Sequence, residues 1–330
     1  MASLVDAAPI ARIQAREALT WVCRAVPLQH RLFPLLRTCL PDRGLIAIPF
    51  AGGRMLYPAG WVNAYNASLL FALNQLFPER ELIEHALAAA HDGTLVDVGA
   101  NVGAYVLLAR HVSRARLIAY EPSPFAAHVL KRMIAVNGFS GIDVRLKACG
   151  DRAGHVCLQE GINSYIGDSG DTARVAAGDF DALSRQTRDG FTSIDAEQVT
   201  LDEELAAEAR VGLVKIDCEG FEYRVLLGAR RVLAEQRPTL FVELHPEMIR
   251  RAGDAPEDVC ALLRDAGYAV ECWNYQRKRH GAMVPRVLSR YRTSGGHRYR
   301  DMDDMLSDLP KSRPQQVYLV ATPEARQRRG

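Results

Sequence analysis

The sequence predicts an α/β fold built on a mostly parallel sheet, and three observations carry that reading. Short apolar runs alternate with helical patterns of about ten residues or more from Thr94 onward. The alternation resumes after an interruption near residues 150–205, and a glycine-bearing turn stands where the first run meets the first helix. Strands separated by helices of that length connect as βαβ crossovers, which lay the strands parallel.

Thr94–Val98 reads as a strand and residues 102–112 as the helix after it, with Val102, Val106 and Ala109 at helical spacing. Residues 115–120, 143–148, Val211–Ile216 and Thr239–Leu244 read as further strands. Helical patterns cover 125–136, 221–233 and 256–266, the last closed by Gly267. Residues 268–273 and 317–321 read as a closing pair of strands. Between Gly150 and Leu205 the rhythm breaks: 155–159 is a short strand, and 162–178 is rich in Gly, Ser and Asp. This stretch reads as an insertion of short antiparallel strands beside the strand ends.

Residues 1–92 form a separate, mainly helical extension, with helical patterns over 10–26 and 67–90 and a hairpin over 45–57 around Gly52-Gly53. It acts either as a packing cap or as a lid shaping the substrate site. Residues 93–275 are the core with its insertion, and 276–330 a basic loop and closing strand of the same core.

Composition narrows the function classes. The 330 residues are 48% apolar and 24% charged, an ordinary globular balance. A net charge of +2 gives no support to a nucleic-acid binder. The seven cysteines are scattered and contain no C-x-x-C pair, against both a disulfide framework and a zinc site. Asp6 interrupts any apolar stretch near the N-terminus, and no window approaches the roughly 18 apolar residues of a membrane span. The chain reads as a soluble, cytoplasmic protein.

The turn Asp97-Val98-Gly99-Ala100-Asn101-Val102-Gly103 carries the chemistry. Gly99 admits a backbone conformation that a side chain obstructs and lets a ligand approach the chain. Gly103 permits close helix–strand packing, and the helix N-terminus offers N–H groups to a carboxylate or phosphate. The dinucleotide pattern G-x-G-x-x-G is broken by Asn101, and Asp97 sits where it would repel a pyrophosphate. A ligand bearing ammonium and sulfonium centres is attracted instead, and S-adenosylmethionine has both. Glu121, 22 positions after Gly99, ends the next strand and is placed to accept hydrogen bonds from ribose hydroxyls.

With these segments in view, the chain resembles the FkbM family of S-adenosylmethionine-dependent methyltransferases. Five segments carry the resemblance in order: 96–103, Ala119-Tyr120-Glu121-Pro122, Thr200-Leu201-Asp202, 214–222 and Val242-Glu243-Leu244-His245. It implies a Rossmann-like, seven-stranded methyltransferase sheet and O-methylation of a sugar or natural product. Asn163-Ser164, in the insertion, reaches the acceptor on the family pattern.

Further candidates stand at the other strand ends, where open parallel sheets bind ligands. Asp217 follows the Val211–Ile216 strand and either orients the acceptor or meets the ammonium end of the cofactor. Glu219 has either a site role or a structural one in capping the next helix. Glu243 and His245 alternate, so both point to one side of the chain. His245 is the expected general base, because an ordinary imidazole titrates near neutral pH, with Glu243 or Asp217 orienting or replacing it. Asp151 either contacts the adenine amino group or serves a turn. Carboxylates and imidazole also suit a cation, but the spacing alone assigns no metal. Finally, Arg277, Lys278, Arg279, Arg286, Arg290, Arg292, Arg298 and Arg300 form an acid-free run. It is either a solvated loop or a cap recruiting an anionic small-molecule acceptor; a nucleic-acid partner is not expected.

Overall fold

The computed structural model describes residues 10–12, 44–61, 80–90, 93–160, 165–166, 192–274, 297–309 and 317–324. Among them are three sheets. The smallest joins β1 (Ile10–Arg12), β2 (Leu45–Phe50) and β3 (Gly53–Pro58). The principal sheet begins with β4 (Thr94–Val98), β5 (Leu117–Tyr120) and β6 (Ile142–Arg145). A four-stranded sheet follows from β7 (Ala148–Cys149), β8 (Gly154–Glu160), β9 (Tyr165–Ile166) and β10 (Thr192–Val199), in the order β7-β10-β8-β9. The principal sheet then resumes with β11 (Val211–Ile216), β12 (Thr239–Leu244), β13 (Tyr268–Asn274), β14 (His297–Arg298) and β15 (Val317–Pro323). The helices are α1 (Arg80–Ala89), α2 (Ala104–Val112), α3 (Pro124–Val136), α4 (Leu201–Glu204), α5 (Glu222–Leu227), α6 (Pro246–Arg251), α7 (Pro256–Asp265) and α8 (Met302–Asp308).

The principal sheet has the order β14-β13-β15-β12-β11-β4-β5-β6. Its five strands from β12 to β6 pair in parallel, and β15 is antiparallel to both of its neighbours, β12 and β13. This is a Rossmann-like, mostly parallel α/β sheet. Seven strands are those expected, and the two-residue β14 adds an eighth at the edge.

Alternation sorts each strand onto two apolar layers. Leu95, Leu213, Phe241 and Tyr318 face a cluster built from the β2–β3 hairpin, α1, α2 and α3. Val96, Val214, Ile216 and Val242 face a second cluster with α5, α6, α7 and α8. The hairpin shares the first core: Trp61 lies 5.2 Å from Phe125 of α3. At its tip Asn137 accepts from the Arg54 N–H and donates to the Arg54 carbonyl, both at 2.7 Å. The 45–57 hairpin is as expected, and residues 10–12 form a strand where a helix was expected. The rest of the 10–26 pattern lies outside the described residues. Among the described residues no helix is long and apolar enough to cross a membrane.

Two further boundaries differ from expectation. The 143–148 run divides into β6 and β7, which belong to different sheets. The 221–233 helix stops at Leu227 with Gly228 as its C-cap, packed so closely on the Gly150 carbonyl that an added Cβ would lie 1.9 Å from it; a π-helical turn, Val232–Gln236, follows.

Candidate active site

The turn after β4 is shaped by its neighbours. Gly99 has φ +77, and a Cβ there would lie 1.8 Å from the Asp217 carbonyl oxygen. Glycine is thus demanded by the adjoining end of β11; the close approach is to protein backbone. At Gly103 (φ +98) a Cβ would meet Leu130 and Met133 at 2.5 Å, so the packing it permits is against helix α3, where a strand was expected. Asn101 is left-handed at φ 47, an arrangement asparagine tolerates better than most residues.

Hydrogen bonding within the turn is largely internal. The N–H groups of Gly99 and Ala100 donate to the Tyr120 carbonyl, and that of Gly103 donates to the Ala100 carbonyl. The Asn101 N–H donates to Glu121 Oε2 at 2.7 Å, and the Ser123 N–H to Glu121 Oε1 at 2.8 Å. These five amides, which do not include those of the first turn of α2 at 104–106, are committed to protein acceptors, so this part of the turn offers no donors of its own. It presents acceptors instead. Asn101 Oδ1 and Asp97 Oδ2 are buried without a hydrogen-bond donor among the described residues. Glu121 is oriented from both sides.

Strand alternation assembles the rest. Asp97, Lys215 and Phe241 are register partners on β4, β11 and β12 and point to one face. Asp217, Glu243 and His245 continue that face two and four residues further on. Lys215 is buried at 2% exposure and donates to the Gly99 carbonyl at 2.9 Å. Its ammonium is ion-paired with Asp97 Oδ1 at 3.0 Å, sits 3.4 Å from Asp217 Oδ2 and lies 4.3 Å from the Tyr105 ring centroid. Burial alone would lower the Lys215 pKa, but the carboxylates of Asp97 and Asp217 raise it, so the lysine stays charged. Burial pushes the Asp97 carboxyl up, with Lys215 opposing. The attraction of Asp97 for a cationic ligand is therefore largely taken up by Lys215. Spacing gave Lys215 no role, yet a lone lysine in the apolar run Val211-Gly212-Leu213-Val214-Lys215-Ile216 is the signal that a buried counter-charge exists.

His245 is enclosed by carboxylates. Its Nδ1 is 2.7 Å from Glu222 Oε1, while Nε2 is 3.5 Å from Glu219 Oε2, 3.7 Å from Glu243 Oε1 and 3.9 Å from Asp217 Oδ1. Burial alone would lower the imidazole pKa; the Glu222 hydrogen bond and the charges of Glu222, Glu219 and Asp217 outweigh it and raise the pKa well above the usual value. The shift favours the protonated imidazole, a different state from the near-neutral one on which the expected base rests. Burial raises Glu219 to about 7, with His245 opposing and Asp217 and Glu222 adding to the rise. Glu222, fully buried, was not anticipated as a partner of His245 across 23 positions.

Both shifts have the same sign for stability. The native state holds protons that the unfolded chain, with ordinary values of 6.5 for His245 and 4.5 for Glu219, releases earlier. The Glu219 contribution is present below 4.5 and fades as pH rises through about 7; that of His245 is present below 6.5 and fades above it. In chelator-containing buffer the melting temperature should therefore fall from pH 5 to pH 8. A flat or rising profile would contradict the described cluster.

Asp151 Oδ2 is 3.8 Å from Arg152 and from Arg224 of α5, and its Oδ1 is buried without a donor among the described residues. Asn163-Ser164 and the basic run from Arg277 to Arg292 lie outside the described residues; Arg298 and Arg300 are described, paired with Glu271 and Asp301.

Comparison with known proteins finds similarity to methyltransferases. The sequence profile described as the Methyltransferase FkbM domain matches residues 97–270. The chain is 27% identical over 230 residues to the 31-O-demethyl-FK506 methyltransferase FkbM of Streptomyces tacrolimicus, covering 63% of this chain and 84% of that protein. It is 26% identical over 200 residues to the methyltransferase sdnD of Sordaria araneosa, covering 53% and 73% respectively. A crystal structure of methyltransferase FkbM from Methylobacillus flagellatus KT has 16% identity, a TM-score of 0.36, and coverage of 78% of this chain and 56% of that one.

Proposed function

Since this chain belongs to the methyltransferase FkbM domain family, we propose that it binds S-adenosylmethionine at the ends of β4 and β5 and methylates a hydroxyl oxygen of a small molecule, a sugar or a natural product. The observation that carries the proposal is the set of buried acceptors around the turn. Asn101 Oδ1 and Asp97 Oδ2 have no donor among the described residues, and the Glu121 carboxylate is held in place by two backbone amides. A ligand rich in donors fits this set: a ribose diol for Glu121 and Asn101, and an ammonium group for the part of the Asp97 charge that Lys215 leaves. The Asp151 Oδ1 atom suits the adenine amino group in the same way.

When bound, the cofactor supplies a methyl group activated by a sulfonium centre. The protein has to align the acceptor oxygen and accommodate its proton. Asp217, Glu219 and Glu243 line the strand ends on the same face as Asp97, so the acceptor is placed beside carboxylates. The proton then passes to one of these carboxylates, directly or by way of His245. The name of one related protein, a 31-O-demethyl-FK506 methyltransferase, favours an oxygen acceptor, and the acid-free run from Arg277 to Arg300 favours an anionic one.

Calorimetry should show binding of S-adenosylmethionine and S-adenosylhomocysteine in preference to NAD or NADP. Glu121→Ala should weaken that binding by about 1–3 kcal/mol, the range for hydrogen bonds to a charged acceptor. Equal affinity in a folded variant would remove Glu121 from the site. A screen of hydroxylated acceptors for S-adenosylhomocysteine release tests the transfer itself.

A further inference from the structure

We propose that Asp217, Glu243 and His245 form a binding site for an oxygen-preferring divalent cation of the Mg2+/Mn2+ class, with Glu222 as the residue that orients the imidazole. One ligand atom from each of the three residues can be chosen so that all lie within 4.8 Å of one another. His245 Nε2 stands 3.7 Å from Glu243 Oε1 and 3.9 Å from Asp217 Oδ1. Two neighbouring donors about 2.1 Å from one six-coordinate cation are about 3 Å apart, so these side chains close by nearly 1 Å on binding, and by more for any pair near the 4.8 Å limit. Glu219 Oε2, 3.5 Å from the same nitrogen, is within reach as a fourth donor.

The imidazole is prepared for this use. Its Nδ1 is held 2.7 Å from Glu222 Oε1, which leaves Nε2 directed at the carboxylates. A histidine whose second nitrogen donates to a carboxylate is the usual arrangement around a bound metal, because it fixes the tautomer and the ring orientation. Independently, Glu222 is fully buried and its Oε2 has no hydrogen-bond partner among the described residues. A carboxylate buried in this way calls for positive charge nearby. Four carboxylates face one imidazole, and the adjoining ammonium of Lys215 is shared between Asp97 and Asp217. The donors are oxygens and one imidazole nitrogen, a set that selects magnesium- and manganese-like ions over thiophilic ones.

Resting on the methyl-transfer reading, the cation would also define the acceptor. Three protein donors leave positions on a six-coordinate ion for oxygens of the acceptor, which favours a hydroxyl with a second oxygen beside it. Neither with a cation nor with a proton on Nε2 is His245 then free to serve as a base.

The test uses the full chain, stripped by chelator, titrated with Mn2+ and followed by the loss of the free-ion paramagnetic resonance signal. One tightly held Mn2+ per chain is expected, competed by Mg2+, with nitrogen coupling from an imidazole in the pulsed spectrum. His245→Gln should abolish that coupling, and His245→Gln and Asp217→Asn should each weaken Mn2+ binding at least tenfold with circular dichroism near that of the parent. Absence of Mn2+ binding at millimolar concentrations, or of nitrogen coupling in the parent, would overturn the site without recourse to any variant. Unchanged binding in both folded variants would equally overturn it. Mn2+ binding that persists in a chain without affinity for S-adenosylhomocysteine would sink the methyl-transfer reading and leave the cation site standing.

Discussion

Lys215→Met is expected to lower the stability of the fold by about 3–5 kcal/mol, the cost of removing one partner from a buried ion pair. Methionine keeps most of the volume and can still lie along the Tyr105 ring, so packing changes little. The charge is what disappears: the ammonium 3.0 Å from Asp97 and the hydrogen bond to the Gly99 carbonyl. Asp97, 4% exposed, would then be left in the sheet without its counter-ion. The expected signature is a lower denaturation midpoint at an unchanged m-value. Adding Asp97→Asn should recover much of the loss, because the stranded charge goes as well. A loss below about 1 kcal/mol in the single variant would mean that the pair behaves as an exposed one.

Gly99→Ala should have the second large effect, on the site as well as the fold. The new methyl carbon would fall 1.8 Å from a backbone oxygen, and backbone cannot swing aside as a side-chain terminus does. The ends of β4 and β11 would have to part, on top of about 1–2 kcal/mol for holding alanine in a left-handed conformation. That shift moves Asn101 and Asp217 together, so S-adenosylhomocysteine binding should fall below detection by calorimetry and the melting temperature should drop. Gly103→Ala is the control: its clashes are with the ends of Leu130 and Met133, which can change rotamer, and its effect should be smaller on both measurements. Parent-like binding by Gly99→Ala would show that the ligand lies elsewhere.

Much of the fold was legible because the central strands are short apolar runs bounded by turn residues. Thr94–Val98, Val211–Ile216 and Thr239–Leu244 have the bounds read from the sequence. Periodicity misjudged the end of α5, where Gly228 caps the helix in close packing against the Gly150 backbone. It also missed α6, α8 and the two-residue β14. In the site, the order of Asp97, Gly99, Asn101 and Glu121 along the chain anticipated their meeting, since adjacent parallel strands bring consecutive strand ends together. The state of His245 was not legible. It depends on Glu222, which reaches the imidazole from the start of α5, and on Glu219, held left-handed at φ 49 in the preceding turn. A model-compound pKa carries no information about such neighbours.

The placement of β15 bears on how the chain is made. β12 pairs with β15 on one side, and β13 pairs with β15 on the other, so a strand synthesised after both of them lies between them. Until residues 317–323 emerge, β12 has an open apolar flank and β13 lacks the partner that joins it to the sheet. Vectorial folding from the N-terminus can settle β4, β5, β6, β11 and β12, but it then has to wait. A nascent chain paused in this interval exposes strand edges, the usual template for intermolecular pairing. Truncation just before Val317 should accordingly yield aggregation and chaperone retention during translation, with Asp97 through Glu121 already synthesised.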